Sequence, residues 1–371
     1  MAGIYIHIPF CRQACHYCNF HFSTSLRYKN ELVAALLKEV ELQQEYLAGE
    51  NIETIYFGGG TPSLCSKDEI RSILQKIQSS FTVSIGPEIT LEANPDDITP
   101  DKLKDWKEAG INRLSIGIQS FFDEDLQWMN RAHNSQQAID SLQLAADSFD
   151  NISIDLIYGT PGLTNEKWKQ NVDRAIAFNI PHLSCYALTV EPKTPLDKMI
   201  RQHKSADVNP DKQSEQFILL MQWLGEAGYE HYEISNFAKP GFRSRHNSSY
   251  WQGKKYIGLG PSAHSFDGNS RWWNIANNNT YIDSLLKGIL PFEKEELTST
   301  QKLNEYIMIS LRTSEGLNLS RVDKPASLEL RTASKKYIEN GLIKMEDDFL
   351  KLTNEGKLLA DGIAADLFTD Q

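Results

Sequence analysis

Segments typical of strands alternate with segments typical of helices through the first 230 residues of this chain. The predicted strands cover residues 4–8, 52–57, 88–92, 113–117, 152–157 and 182–187, and the predicted helices cover 30–48, 67–79, 100–108, 135–148 and 166–178. Such repetition requires a parallel sheet covered by helices, because each crossover returns the chain to the same end of the sheet. Six strand units are too few for a closed eight-stranded barrel. The sequence therefore predicts an α/β fold with an open, partial (β/α)6 barrel.

The alternation stops after Pro192. A further helix is predicted at 212–225, and residues 229–260 are rich in aromatic residues, glycine and asparagine. From about residue 298 the pattern turns helical again, with a predicted hairpin formed by 342–345 and 350–352. We predict a barrel domain over 1–230, a connecting region over 231–297 and a smaller α+β, winged-helix-like region over 298–371. Acidic composition favours a packing or docking role for this last region over DNA binding.

The overall charge argues against one class of partner. The chain has 371 residues, with 38 Lys and Arg against 49 Asp and Glu and a net charge of -11. An acidic chain without a basic run is not expected to bind nucleic acid. We expect no secretion signal, because the N-terminus lacks a charged region followed by an apolar one, and no transmembrane segment, because the apolar runs are short. Five cysteines, three of them clustered, do not resemble a disulfide framework, so a cytoplasmic location is predicted.

Three of the cysteines, Cys11, Cys15 and Cys18, form a C-x3-C-x2-C pattern directly after the first predicted strand. Three thiolates are one fewer than the four that complete a [4Fe–4S] cluster, so one iron stays open to another ligand. The spacing differs from the paired C-x2-C of zinc sites and from C-x2-C redox pairs. The alternatives are three incidental thiols or an incomplete zinc site. A [4Fe–4S] cluster is the prediction, and Cys65 and Cys185 are expected to be ordinary buried thiols.

Glycines and polar side chains follow the later strands. The run Gly58, Gly59, Gly60, Thr61 comes directly after the second strand, and glycines let the backbone approach a ligand closely. Four polar residues lie within or after the next strands: Glu92, Gln119, Arg131 and Asp155. An unpaired carboxylate in an apolar strand is costly. These residues are therefore expected either to bind a ligand or to form internal salt bridges.

Together these motifs resemble the radical S-adenosylmethionine (SAM) superfamily, and within it the branch similar to coproporphyrinogen oxidase. The resemblance implies that SAM binds the open iron through its amino and carboxylate groups and is cleaved to a 5′-deoxyadenosyl radical. It implies that residues 58–61 contact the methionyl amine of SAM. It also implies contacts to the methionyl, ribose and adenine parts from Glu92, Gln119, Arg131 and Asp155. Of these, Arg131 would face the carboxylate, which suits a guanidinium group.

Two departures separate the chain from the oxidase itself. The chain begins almost directly at the first strand, whereas the oxygen-independent coproporphyrinogen III oxidase carries an N-terminal extension that helps to form its substrate site. The oxidase also has a further cysteine two residues after its third, a position occupied here by Phe20. Both departures argue against coproporphyrinogen oxidase activity.

A positive feature is the H-N-x-x-Y-W pattern at residues 246–251, which resembles the HemW-type haem chaperones. Segments 232–238 and 258–263 resemble the same branch. Imidazole is a standard axial ligand of haem iron, and tyrosine and tryptophan rings pack well on a macrocycle. The resemblance implies a haem site formed by His246, Asn247, Tyr250 and Trp251, with His246 on the iron. The alternatives are that His246 is a packed residue, or that His264 is the ligand.

The resulting prediction is a haem chaperone that carries a [4Fe–4S] cluster and SAM, binds haem and delivers it to an acceptor, such as a respiratory haem protein. The main alternative is a radical SAM decarboxylase acting on coproporphyrinogen III. A third class is a cluster-bearing regulatory or docking protein in which SAM is a structural ligand. The sequence leaves open whether SAM is cleaved productively and whether the protein forms a dimer.

Overall fold

The computed structural model describes residues 1–369 of the chain. Its main sheet contains six parallel strands that lie side by side in chain order. They are β1 (Ala2–Ile8), β2 (Ile52–Gly59), β3 (Val83–Ala93), β4 (Arg113–Gln119), β5 (Ile152–Tyr158) and β6 (His182–Ala187). The helices between them are α1 (Lys29–Leu42), α2 (Lys67–Ser80), α3 (Pro100–Ala109), α4 (Asp123–Trp128), α5 (Ser135–Ser148) and α6 (Asn165–Ala177). The predicted alternation is confirmed, although α1 ends six residues earlier than expected.

Further strands extend both sides of this parallel core. After α7 (Pro195–Arg201) and α8 (Pro210–Glu226), strands β7 (Glu230–Glu233) and β8 (Asn236–Ala238) add antiparallel to β6. Beyond α9 (Arg245–Trp251), strand β9 (Lys255–Leu259) pairs in parallel with β1. The antiparallel strands β10 (His264–Phe266), β11 (Ser270–Asn274) and β12 (Phe292–Glu296) follow, with α10 (Asn278–Leu286) between the last two. The sheet has 12 strands and stays open, because β7 and β12 at its edges do not pair.

The C-terminal part forms a small α+β unit with its own apolar core. It contains α11 (Ser299–Leu311), β13 (Leu317–Asn318), α12 (Lys324–Glu339), β14 (Ile343–Glu346), β15 (Phe349–Leu352), α13 (Asn354–Lys357) and α14 (Ala360–Asp366). Its three antiparallel strands are arranged in the order β13-β15-β14. Asp347 adopts a positive φ of 53°, which produces the tight turn of the predicted hairpin. The winged-helix-like expectation is thereby confirmed.

The two faces of β1 explain how the fold positions its functional residues. Ile4, Ile6 and Ile8 are fully buried and pack into the main apolar core. The alternate residues, Tyr5 and His7, point to the opposite face, which is the interior of the open barrel. The chain then leaves the carboxyl end of β1 directly into the cysteine-containing loop, as parallel α/β folds place their reactive groups. Every helix of residues 1–369 is too short or too polar to cross a lipid bilayer.

Candidate functional site

The loop between β1 and α1, residues 9–28, is here called the cysteine loop. Its thiols Cys11, Cys15 and Cys18 are free and half-buried. The segment after α4 holds the loop in place: the amide N–H of His16 donates to the carbonyl of Met129 at 3.1 Å, and the side-chain amide of Asn130 donates to the carbonyl of Ala14 at 2.7 Å. The three thiols therefore stand at one end of the barrel on a loop anchored by non-local contacts.

All three thiols line one cavity of about 520 Å³, here called the cysteine cavity. Of the other residues predicted for this site, those that line the same cavity are Gly59, Gly60, Thr61, Glu92, Gln119, Arg131 and Asp155. Gly58 stands just behind the wall, where an added Cβ would lie 3.1 Å from Oε1 of Glu92. The structure thus brings together residues from the four strands β2 to β5, from the segment after α4 and from the cysteine loop.

Arg131 connects the cysteine loop to the strand ends. Its Nη1 donates to Sγ of Cys15 at 3.3 Å and to the hydroxyl of Tyr17 at 3.4 Å. Its Nη2 donates to Oδ1 of Asn94 at 2.7 Å and to the carbonyl of Gly117 at 2.9 Å. Its Nε is buried without a hydrogen-bond partner among residues 1–369. The guanidinium is therefore fixed in orientation and still has one unused donor.

Two carboxyl groups in this cavity lie in surroundings that disfavour their charged forms. Burial raises the pKa of Glu92 to about 8 and the pKa of Asp155 to about 6. Glu92 accepts hydrogen bonds from the hydroxyl of Tyr56 at 2.8 Å and from the amide of Gly59 at 3.1 Å. Neither carboxyl forms a salt bridge within the described part of the chain. A cationic ligand beside them would restore the charged forms, so the cavity is suited to an ammonium or sulfonium group.

Gln119, the last residue of β4, has a backbone conformation that is unfavourable for a residue other than glycine. It has a positive φ of 65°, and the pairing of β4 with β5 changes register between Ile116 and Gln119. Its side-chain Oε1 is buried and accepts no hydrogen bond from any described residue. Strained backbone and an unsatisfied acceptor together are characteristic of a ligand-binding position.

The glycine run allows the cysteine loop and β2 to approach each other. Gly59 has a φ of 107°, and a Cβ there would lie 2.6 Å from the ring of His7. A Cβ on Gly60 would lie 2.7 Å from the carbonyl oxygen of Phe10. A side chain at position 59 would collide with His7 of β1, and one at position 60 would push the start of the cysteine loop away from β2.

The donor set fits a cluster better than a single metal ion. No group of three or more His, Cys, Asp or Glu side chains in the described chain converges closely enough to hold one ion. A cubane distributes its three thiolates over three separate irons, so its ligands stand further apart. Burial raises the pKa of Cys11 to about 11 and also raises that of Cys18. Burial therefore favours the protonated forms of Cys11 and Cys18 when no iron is bound, and iron binding would release those protons.

The H-N-x-x-Y-W pattern lies on α9, a helix capped by Ser244. The Nδ1 atom of His246 is 2.8 Å from the hydroxyl of Thr54, and its Nε2 atom is 2.8 Å from the hydroxyl of Tyr250. The ring is 1% exposed and stacks on Tyr56 with 4.9 Å between ring centroids. Both ring nitrogens of His246 therefore have a hydroxyl partner in this structure, and its role as the axial ligand stays a prediction. Asn247 likewise lines neither of the two cavities described here.

Tyr250 and Trp251 do line a second cavity, of about 710 Å³, here called the aromatic cavity. It lies between the β9–β11 strands and helix α11 of the C-terminal unit. Asn19 and Phe20 of the cysteine loop border both cavities. Sequence reasoning named the two aromatic residues but did not place them beside the cysteine loop.

Comparison with known proteins agrees with this geometry. Residues 5–175 match the radical SAM superfamily, and residues 297–359 match the HemN C-terminal domain. The haem chaperone HemW of Mycobacterium tuberculosis (strain ATCC 25618 / H37Rv) is 33% identical over 371 residues, which covers 98% of this chain and 94% of the relative. HemW of Bacillus subtilis (strain 168) is 33% identical and covers 98% of both chains. HemW of Escherichia coli (strain K12) is 37% identical over 266 residues, covering 71% of this chain and 69% of the relative.

This chain belongs to the HemW family. The identity extends along almost the whole length of two of these relatives, so the family includes both the barrel and the C-terminal unit. Among solved structures, coproporphyrinogen III oxidase (HemN) of Escherichia coli, described as a radical SAM enzyme, superimposes with a TM-score of 0.86 at 23% identity. It covers 100% of this chain and 90% of that chain, which shows a shared fold.

Three contacts in this HemW-family site were missed from the sequence. Tyr17 and Asn94 hold the guanidinium of Arg131, and Tyr56 donates to the carboxyl of Glu92. The signals were weak but present: Tyr17 lies between two of the predicted cluster ligands, and Asn94 is two residues beyond Glu92, on the same face of the chain. Nothing in the residue types alone distinguishes such supporting residues from ordinary core residues.

Proposed function

We propose that this protein is a haem chaperone that carries a [4Fe–4S] cluster and SAM, binds haem and delivers it to an acceptor haem protein in the cytoplasm. The observation that supports the proposal most strongly is the likeness to proteins named HemW over 98% of the chain. The chain itself combines a cavity lined by three thiols with a second, aromatic cavity, which a simple cluster protein would not need. A respiratory haem protein is the proposed kind of acceptor.

Within the cysteine cavity, Cys11, Cys15 and Cys18 are the proposed cluster ligands. When bound, the cluster supplies an electron and one open iron site for SAM. Arg131 is held by four hydrogen bonds and is the proposed partner of a carboxylate. Because the guanidinium of Arg131 is already oriented, ligand binding costs little conformational entropy for this side chain.

The other proposed SAM contacts follow from the unsatisfied groups of the same cavity. Glu92 and Asp155 are the proposed neighbours of its positive charge, since burial disfavours their ionisation until a cation arrives. Gln119 is the proposed acceptor for a ligand hydroxyl, because its Oε1 has no partner among residues 1–369. Residues 59–61 complete the wall nearest the cysteines with Gly58 directly behind it, and residues 58–61 are proposed to contact the methionyl amine.

The haem proposal is tested by titrating anaerobically reconstituted protein with haemin while following the Soret band. The supporting result is saturable binding followed by transfer of haem to an added apo-haem protein. In the same sample, SAM and a reductant should yield no protoporphyrinogen from coproporphyrinogen III. Turnover of that substrate would instead favour the decarboxylase. Absence of haem binding, with cluster and SAM present, would favour a regulatory or docking role.

A further inference from the structure

A chain of buried polar side chains runs from Asp155 to the C-terminal unit. Ser184 of β6 lies directly opposite Asp155 of β5 in the pairing of these two strands. The hydroxyl of Ser184 donates to Oδ1 of Asn236 at 2.9 Å, and Nδ2 of Asn236 donates to Oε2 of Glu233 at 2.6 Å. Oε1 of Glu233 accepts from Nε of Arg312, at the end of α11, at 3.2 Å. Polar contacts thus connect the cysteine cavity, which Asp155 lines, to the C-terminal unit.

The carboxylate of Glu233 fixes the direction of the hydrogen bonds in this chain. It is paired with Arg312, its side chain is 1% exposed, and a carboxylate can only accept. The NH2 group of Asn236 must therefore point toward Glu233, and its carbonyl oxygen points toward Ser184. Ser184 carries a single hydroxyl hydrogen, and this arrangement directs it to Asn236. Only lone pairs of the Ser184 oxygen are then left for Asp155.

The same hydrogen has a second acceptor once Asp155 is ionised. Burial raises the pKa of Asp155 to about 6, and a hydrogen bond from Ser184 acts in the opposite direction, because it stabilises the carboxylate. A hydroxyl hydrogen rotates about its C–O bond, so Ser184 can serve either acceptor but not both. Ser184 and Asn236 are 3% and 4% exposed, so bulk water does not supply a substitute donor. The choice between the two acceptors therefore sets the cost of charging Asp155.

We propose that Ser184 is a further residue of the proposed SAM site and that Asn236 and Glu233 are its positioning residues. When a cationic ligand binds beside Asp155, the carboxyl releases its proton to solvent, and the hydroxyl of Ser184 turns its hydrogen from Asn236 to the new carboxylate. Asn236, oriented by Glu233, opposes this turn until the ligand is present. The inference rests on the proposed SAM binding and extends that site beyond the residues that line the cavity.

Other ionisable groups around Asp155 form a constant background. The charges of Arg113 and Arg131 favour its carboxylate. The groups whose own ionisation its charge opposes are Tyr56, Glu92, Cys185 and Tyr186. All six are unchanged in variants of Ser184 or Asn236. A difference between such a variant and wild type therefore reports on the chain itself.

The first test follows the carboxylic-acid infrared band of Asp155 against pH in cluster-free, full-length protein, as a difference from Asp155→Asn. Asn236→Ala removes the competing acceptor, so the ionisation midpoint should fall by about one pH unit, the size expected for a hydrogen bond to a charged group. Ser184→Ala removes the donor, so the midpoint should rise. In the Ser184→Ala background, Asn236→Ala should add nothing, because its effect passes through Ser184.

Two further variants make this test robust. Glu233→Gln removes the charge that orients Asn236 and should lower the midpoint in the same direction by a smaller amount, which keeps the inference testable if Asn236→Ala does not fold. Ser141→Ala is the matched control: Ser141 is a 3% exposed serine of α5 that donates to the carbonyl of Ala138 at 3.0 Å. Its midpoint should equal that of wild type.

The second test measures SAM affinity against pH in reconstituted protein, from the effect of SAM on the EPR spectrum of the reduced cluster. Below about pH 6, where Asp155 of the wild type is neutral, Asn236→Ala should bind SAM up to about tenfold more tightly and Ser184→Ala more weakly. The three proteins should converge as the pH rises. A gain of affinity on deleting a buried polar side chain is not expected of residues that merely support the fold.

The outcomes separate the two proposals. If wild type shows no effect of SAM, the proposed function fails, and the infrared midpoints still decide whether Ser184 and Asn236 act on Asp155. If SAM binds but the midpoint is unchanged in both Asn236→Ala and Glu233→Gln, the inference is overturned while SAM binding stands. Equal losses of SAM affinity in Ser184→Ala and Asn236→Ala would also overturn it, because they would show a structural role alone.

Discussion

Replacing Glu92 by glutamine should remove a pH-dependent loss of stability from the cluster-free, SAM-free protein. Burial raises the pKa of Glu92 from 4.5 to about 8, with a further contribution from Asp155. Between these two pH values the folded protein keeps a proton on Glu92 that the unfolded chain has released. The contribution of Glu92 to the free energy of unfolding is therefore fully present below pH 4.5. It is lost as the pH rises through about 8.

The size of the effect follows from the same pKa change. A rise from 4.5 to about 8 corresponds to about 5 kcal/mol at most. The Glu92 side chain is half-buried and lines an open cavity, so solvent screening reduces the expected loss to about 2 kcal/mol. Glutamine can keep both hydrogen bonds, because its carbonyl accepts from the amide of Gly59 and its amide donates to the hydroxyl of Tyr56.

The assay is urea unfolding at a series of pH values between about 5 and 9, with the free energy of unfolding extrapolated to water. The difference between wild type and Glu92→Gln should grow with pH, in favour of the variant. Glu329→Gln, at an exposed position of α12, is the control and should follow wild type throughout. If Glu92→Gln loses as much stability as wild type over this range, the carboxyl is ionised in the folded protein and the reasoning fails. Saturating SAM should flatten the wild-type curve.

Three further predictions address the other groups of the site. Replacing any one of the three cysteine-loop thiols by alanine should abolish a cluster of about four irons in reconstituted protein, whereas Cys65→Ala should retain it, as iron and sulfide analysis will show. Arg131→Ala should weaken the effect of SAM on the EPR spectrum of the reduced cluster, by about 2–5 kcal/mol in SAM affinity; unchanged affinity would exclude Arg131 from the pocket. His246→Ala should lower stability by about 1–3 kcal/mol, because the hydroxyls of Thr54 and Tyr250 lose a buried partner. Burial also lowers the pKa of His246 to about 3, so its contribution should disappear as the pH falls from 6.5 through 3 in acid unfolding curves, with no such change in the variant.

The parallel core was predictable because each of its strands carries its own signal. Buried parallel strands read as short apolar runs, and β1, β4 and β5 are almost entirely buried. Strand β12, by contrast, has the sequence FEKEE and is mostly exposed, so nothing apolar marks it. Strand β9 is defined by its pairing with β1, far away in sequence, and a local pattern cannot reveal such a partner.

For a similar reason, the cysteine cavity could be predicted from the sequence better than the aromatic cavity. The cysteine cavity is built on the parallel strands, so placing the strands also placed Glu92 near the carboxyl end of β3 and Asp155 in the middle of β5. The aromatic cavity draws on β1, the cysteine loop, β9–β11 and α11. The direction of the His246 ring could not be predicted, because the motif specifies an imidazole but not its orientation. In the fold, its ring turns inward to Thr54 and, one helical turn away, to Tyr250.

The shared wall between the two cavities implies that their occupants affect each other. Asn19 and Phe20 border both, and they directly follow the last of the three loop cysteines. Phe20 is 65% exposed, so little packing holds it in one position. Binding iron to Cys18 would restrain this segment and thereby fix one side of the aromatic cavity. Because such coupling is reciprocal, a ligand in the aromatic cavity and assembly of the cysteine site should change each other's affinity by the same factor. Two cavities joined by one loop therefore give this protein a direct physical route for linking occupancy of the aromatic cavity to the state of the cysteine site.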